Sequence, residues 1–188
     1  GDVSIIGNKD WSSGYNAGFV FSFKYPSGPE WKVNIGDGIN RRDMDGGGLI
    51  ADNQWHTLSV SFDRDGYMKM YEDGTLLDST YISDIGDITT NTGLIFGMDI
   101  NQNFAYKGSI AEVRIWNTLI NEQTVQDWYC NHVDNNHPNY NNLIGYWKLN
   151  EGLGTTMAMD YTGGIGLPNG TIHNSTWYTS DSIWLYDY

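Results

Sequence analysis

Apolar residues along this chain recur mostly at every second position, in short runs broken by Gly, Asn and Asp. Runs at residues 3–7, 18–23, 31–35, 56–62 and 67–71 read as strands, as do 94–97, 108–116 and 144–149. The run T-L-S-V-S-F alternates strictly and predicts Leu58, Val60 and Phe62 on one face. Asp65-Gly66 predicts a hairpin turn with positive φ, and Glu72-Asp73-Gly74 a second tight turn. One segment, residues 122–129, reads as a helix, with Asn121 as its N-cap and Val125, Trp128 and Tyr129 on one side. Many short strands and one short helix predict an all-β fold, a sandwich of antiparallel sheets. The glycines are spread out, no stretch reads as a linker, and no repeat is visible. One domain over residues 1–188 is expected, as a possible fragment of a larger protein.

Charge narrows the partners. Lys plus Arg number 10 and Asp plus Glu 23, giving a net charge of −13. So negative a chain is a poor match for nucleic-acid phosphates or an anionic membrane surface. No apolar run reaches the roughly 20 residues of a spanning helix, which speaks against membrane insertion. With 8 Trp and 13 Tyr, the chain has the apolar content to fold. The single cysteine, Cys130, excludes an internal disulfide, and the four histidines lack zinc-ligand spacing.

Three segments in succession carry a family pattern. They are Asp52-Asn53-Gln54-Trp55-His56-Thr57, Phe62-Asp63-Arg64-Asp65-Gly66 and Tyr71-Glu72-Asp73-Gly74. Together they resemble the W-H … D-G … Y-x-D-G signature of laminin-G-like and pentraxin-like domains. Residues 108–117 resemble the late strand of those domains, which a short helix follows. Residues 145–152 with 160–163 resemble another element of the group, one that opens many bacterial members and here closes the chain. The resemblance implies the concanavalin A-like lectin/glucanase fold, a jelly-roll sandwich of two antiparallel sheets. It also implies a secreted or cell-surface setting, with neighbouring domains of a parent protein as possible partners. It does not by itself give a function.

Catalysis finds little support in the residues. Glucanases of this superfamily carry E-x-D-x-x-E on one strand, supplying the two carboxylates that glycoside hydrolysis needs. None of Glu30, Glu72, Glu112, Glu122 and Glu151 has Asp two positions later. Cys130 lies near His132, but that spacing orients no base on the thiol, so Cys130 is expected to be inert.

Binding chemistry is better represented. Resemblance to pentraxins implies calcium, with Asp99 and Asn101 after the 94–97 strand in place of the G-x-E-x-D ligands. Asp10 and Asn8, in the loop after the first strand, would complete the set. Asp37, Asp43 and Asp45 form a second acidic loop that lacks EF-hand spacing and is expected to be solvated. A sugar needs an aromatic plate and planar polar groups. The N-K-D-W segment offers Asn8, Lys9 and Trp11 with Asp10. Arg41 and Arg42 sit in a polar glycine-rich loop, and Asn103 and Tyr106 follow the late strand. Asn169-Gly170-Thr171 and Asn174-Ser175-Thr176 fit the N-glycosylation pattern.

The sequence therefore predicts a non-catalytic, lectin-like module for a glycan, with calcium as a possible cofactor. A structural or adhesive protein-binding module is the first alternative, and a glycoside hydrolase or lyase the second.

Overall fold

A computed structural model describes residues 2–24, 28, 30–163, 166–173 and 175. The second glycosylation pattern, at Asn174, begins outside the described residues. The chain divides into two compact units, Gly1–Lys107 and Gly108–Tyr188.

The first unit is a sandwich of two antiparallel sheets. One has the order β4-β3-β2-β1-β8, built from β1 (Asp2–Gly7), β2 (Gly18–Lys24), β3 (Trp31–Gly36), β4 (Arg41–Met44) and β8 (Ile95–Phe96). The other has the order β5-β6-β7, from β5 (Leu58–Phe62), β6 (Tyr67–Glu72) and β7 (Thr75–Tyr81). Alternation supplies the core. Trp31, Val33 and Ile35 of β3 and Met44 of β4 are buried with Met68 and Met70 of β6, Ile82 and Ile85. Leu58, Val60 and Phe62 pack against this cluster together, as the strict alternation predicts. Phe19, Phe21, Phe62 and Trp31 extend it as a chain of tilted rings 5.5–6.1 Å apart.

The opposite face of the five-stranded sheet is polar, because the same alternation sends every second residue there. Register sets Ser4 beside Ser22 and Ser22 beside Lys32. It sets Asp2 beside Lys24, Asn34 beside Asp43, and Gly36 beside Arg41.

Several elements depart from the sequence reading. Residues 41–44 form strand β4 rather than loop, and β7 was not marked by the apolar pattern. Residues 56 and 57 precede β5, because they turn toward Asp73 instead of pairing in the ladder. At Glu72-Asp73-Gly74 the turn is as expected, with φ of 48° at Asp73 and 76° at Gly74. The Asp65-Gly66 turn instead closes without positive φ. There Gly66 N–H donates to Asp63 C=O at 3.0 Å and Asp65 N–H donates to the Asp63 side chain at 3.2 Å.

In the second unit, β9 (Val113–Trp116) pairs with β10 (Leu143–Trp147), and β11 (Met157–Ala158) with β12 (Gly170–Thr171). Residues 108–112 are not strand, so the late strand is shorter than expected. Helix α1 (Glu122–Trp128) starts at Asn121, whose side chain accepts from Thr124 N–H at 2.9 Å. Glu112, at φ 56°, accepts from the Tyr146 hydroxyl at 2.7 Å and from Arg114 at 2.8 Å. His132 Nδ1 lies 3.1 Å from the same carboxylate. Arg114 also donates to the Asn131 and Trp128 carbonyls, which ties the segment after α1 to β9. Burial and Glu112 together push the Tyr146 hydroxyl pKa well above the usual phenol range.

Met70 is fully buried at the centre of the sandwich. Met70→Ala should cost about 2–5 kcal/mol, seen as a lower urea midpoint at unchanged slope.

Candidate functional site

A connection between β1 and β2 folds back over the polar face of the five-stranded sheet. Asn8 starts it: its backbone and side chain both bond Phe19, at 3.1 and 2.9 Å. Asn16 ends it, donating from Nδ2 to the Asp10 carbonyl at 3.0 Å. The connection lies directly on β3. A Cβ on Gly36 would stand 2.6 Å from the Gly14 oxygen, 2.8 Å from that of Asn16 and 2.9 Å from that of Tyr15. Glycine is required there by close approach of backbone.

Lys9 pins this connection to the sheet. It is 1% exposed, and its Nζ donates to the Gly14 carbonyl at 2.9 Å and to Asn34 Oδ1 at 2.5 Å. Asn34 in turn donates to Asp43 at 2.9 Å, and Asp43 pairs with Arg41 Nε at 3.2 Å. Burial pulls the Lys9 pKa down to about 8, against the opposing charge of Asp43.

Trp11 rests on the same framework. Lys9 Nζ lies 5.8 Å and Lys32 Nζ 5.4 Å from its ring, both in cation–π range. Its backbone N–H donates to Asp99 Oδ2 at 3.2 Å. Beside it opens a cleft of about 440 Å³, lined by Trp11 and Phe104 and, on the polar face of the sheet, by Lys32, Arg41, Asp43 and Asp2. Lys24, Asp45, Ser12, Ser13 and Gly14 complete its lining. Two ion pairs fix this polar lining: Lys32 with Asp2 at 2.5 Å, and Arg41 with Asp43. Arg41 also covers the Tyr15 ring at 4.9 Å. Only 9% of Trp11 is open, so it forms a wall of the cleft rather than a free-standing plate.

The expected residues divide accordingly. Trp11 and Arg41 line the cleft, and Lys9 lies buried beneath. Asn8 holds the strand connection. Arg42 alternates away from Arg41 and pairs with Asp84. Asn103 is exposed and shapes the loop after β8, its carbonyl accepting from Asp99 N–H and its N–H donating to the Asp99 carboxylate. Tyr106 bonds the Gly97 carbonyl through its N–H at 2.8 Å, and burial raises its hydroxyl pKa. Of the second acidic loop, Asp43 and Asp45 reach the cleft. Asp37 instead accepts from the backbone N–H groups of Ile39, Asn40 and Gly86, which hold its carboxyl far below the usual range.

Of the residues with implied calcium roles, Asp10, Asp99 and Asn101 come together, while the Asn8 side chain accepts from Phe19 N–H. Asp99 is 2% exposed, and its two oxygens accept from the N–H groups of Trp11, Asn101 and Asn103. Asp10 accepts from the Ser12 hydroxyl and N–H, with the Asn101 amide also contributing, and these bonds hold its carboxyl below the usual range. Asp99 thus spends about three of its four lone-pair sites on backbone. That leaves a poor fit to an ion wanting six to eight oxygens.

Lys32, Asp2, Lys24 and Phe104 were missed by the sequence reading. Only Lys32 was marked by alternation, in W-K-V-N-I-G, where Lys32 and Asn34 interrupt Trp31, Val33 and Ile35; Asp2 and Lys24 adjoin the runs 3–7 and 18–23. Phe104 carried no signal: it sits at φ 54° in a loop, with its carbonyl accepting from Ser4 N–H at 2.7 Å.

The depressed Lys9 pKa has a consequence for stability. An unfolded lysine keeps its proton up to about 10.5, so between about 8 and 10.5 the unfolded chain binds more protons. Folded stability contributed by Lys9 should therefore rise with pH across that window. Urea unfolding of wild type and Lys9→Met should show the rise in the first and its absence in the second.

Comparison with known proteins places this geometry. The Laminin_G_3 family, described as the concanavalin A-like lectin/glucanases superfamily, matches residues 2–126. Botulinum neurotoxin type E from Clostridium butyricum is 27% identical over 122 residues, and that from Clostridium botulinum 26%. Each alignment covers 62% of this chain and 9% of the toxin, so the chain spans under a tenth of these relatives. A crystal structure of a Bacteroides ovatus protein, provisionally named as carbohydrate binding, superposes with a TM-score of 0.64 at 17% identity. It covers 94% of this chain and 51% of that protein, and shows the same fold. The match over residues 2–126, on a sandwich of two antiparallel sheets, makes the chain a member of the Laminin_G_3 family of the concanavalin A-like lectin/glucanases superfamily.

Proposed function

We propose that this chain is a non-catalytic glycan-binding module of a larger exported protein, and that the Trp11 cleft holds the sugar. The observation that carries the reading is a cleft lined by two aromatic side chains and two ion pairs. Each pair offers a donor and an acceptor side by side, which suits adjacent hydroxyls of a pyranose. Trp11 and Phe104 supply apolar contact for its C–H edges. A net charge of −13 favours a neutral saccharide over a sulfated or uronate-rich one. The provisional naming of the Bacteroides ovatus protein agrees with this class of ligand.

Hydrolysis is disfavoured by the same pairs. Glycosidases need one carboxyl held neutral to protonate the leaving group. Asp2 is paired with Lys32 and Asp43 with Arg41, so both carboxylates are already committed to ion pairs. Calcium is not required in this reading, since Asp99 already bridges the loops through backbone N–H groups. No helix among the described residues is long and apolar enough to cross a membrane.

A neutral glycan array followed by titration calorimetry tests the site. Lys32→Met and Asp43→Asn should each weaken binding by about tenfold or more, the loss of one charge-assisted hydrogen bond. Unchanged affinity in both variants would place the sugar elsewhere. The thermal midpoint should be the same in EDTA and in excess calcium. A calcium-dependent rise that Asp10→Asn removes would restore the ion to the site.

A further inference from the structure

A second cluster lies at the turn between β6 and β7. Antiparallel pairing of β5 with β6 sets Leu58 opposite Glu72, which brings His56, just before β5, alongside Asp73. We propose that His56, Glu72 and Asp73 bind one divalent cation of the zinc class.

The three atoms His56 Nδ1, Glu72 Oε1 and Asp73 Oδ2 lie within 4.8 Å of one another. Nδ1 is 2.9 Å from Asp73 Oδ2 and 3.9 Å from Glu72 Oε1. Ligands about 2.1 Å from a common ion stand roughly 3–3.5 Å apart, so a small inward shift of Glu72 completes the set. Among the described residues this is the one group of three such side chains with that convergence.

Every remaining atom of the three side chains is held by a partner of its own. Glu72 Oε2 accepts from the Trp31 indole N–H at 2.7 Å and from Gly48 N–H at 3.0 Å. Asp73 Oδ1 accepts from Thr57 N–H at 2.8 Å. His56 Nε2 faces Asp52 at 3.2 Å, the carboxylate–imidazole arrangement that orients metal-bound histidines. These contacts leave Oε1, Oδ2 and Nδ1 within 4.8 Å of one another, with the Nδ1···Oδ2 hydrogen bond the one contact a cation would displace. A Cβ on Gly48 would strike the Glu72 carboxylate at 2.3 Å, so glycine makes the room.

Charge points the same way. Three carboxylates surround one imidazole, an excess that a bound cation balances. An imidazole ligand selects borderline ions such as Zn²⁺ over Ca²⁺ or Mg²⁺. Asp73, with 41% of its side chain exposed, leaves the outer coordination positions to water. The site belongs to the three-stranded sheet and shares no residue with the Trp11 cleft.

Calorimetry of metal-free protein with ZnCl₂, CaCl₂ and MgCl₂ near neutral pH tests the assignment. One Zn²⁺ per chain should bind, with no comparable heat from the other two. Glu72→Gln keeps the acceptor for Trp31 and Gly48, and should weaken zinc binding more than about 100-fold, as should His56→Gln. Asp52→Asn should weaken it about tenfold, and His173→Gln should leave it unchanged. Should His56→Gln unfold by circular dichroism, imidazole nitrogen NMR of the wild type decides, with the His56 Nδ1 resonance expected to move on zinc addition. Absence of zinc binding, binding that survives Glu72→Gln, or an unmoved His56 resonance would overturn the proposal.

Discussion

Lys9 carries an ammonium group to a position where 1% of the residue meets water. A charge so placed is costly unless it is hydrogen-bonded. Its two acceptors, Gly14 C=O and Asn34 Oδ1, belong to the crossing connection and to the sheet beneath it. The bond to Asn34 continues through Asp43 to Arg41, so one chain of polar contacts runs from the connection to edge strand β4. Trp11 stands over this line and Lys32 beside it. The cleft therefore has its shape because the connection is tied down, and the tie is a buried cation. Loss of either acceptor would leave that cation unpaired, which is far more disruptive than loss of an exposed pair.

The two faces of the five-stranded sheet divide the labour. One face sends Trp31, Val33 and Ile35 into a core shared with Met68 and Met70. The other presents Lys32, Asn34, Asp43 and Asp2. The core and the polar cleft are thus coded on alternate residues of the same strands. Residues in the cleft can change with little effect on the core, provided Gly36 and Lys9 continue to seat the connection.

A tie of another kind recurs at the opposite sheet. His56, Asp73 and Glu72 join the segment before β5, the β6–β7 turn and the indole of Trp31. The W-H … Y-x-D-G pattern therefore records a set of polar contacts that fix register, with the hydrophobic core beside it. Asp99 does comparable work for the loop after β8, linking three backbone N–H groups. In each case a carboxylate replaces missing backbone partners where strands end.

Alternation in the sequence was enough to determine the all-β class, most strands and the inward set Leu58, Val60 and Phe62, because side-chain direction in a strand has a fixed period of two. Asn121 as the helix cap was equally legible, since capping is a local hydrogen bond. Strand β4 was not legible: R-R-D-M has no apolar run, and it is a strand because β3 offers an edge to pair with. Trp11 and Arg41 could be named as candidates, yet their neighbours Asp2, Lys32 and Phe104 could not, being far apart in the chain. Asp10, Asp99 and Asn101 could be named as a group, but their hydrogen-bond partners could not. The sequence by itself determined which residues of a strand share a face, because that needs only the period of two. Tertiary structure decided which polar residues meet, because register and a buried lysine, neither visible locally, set the distances between strands and loops.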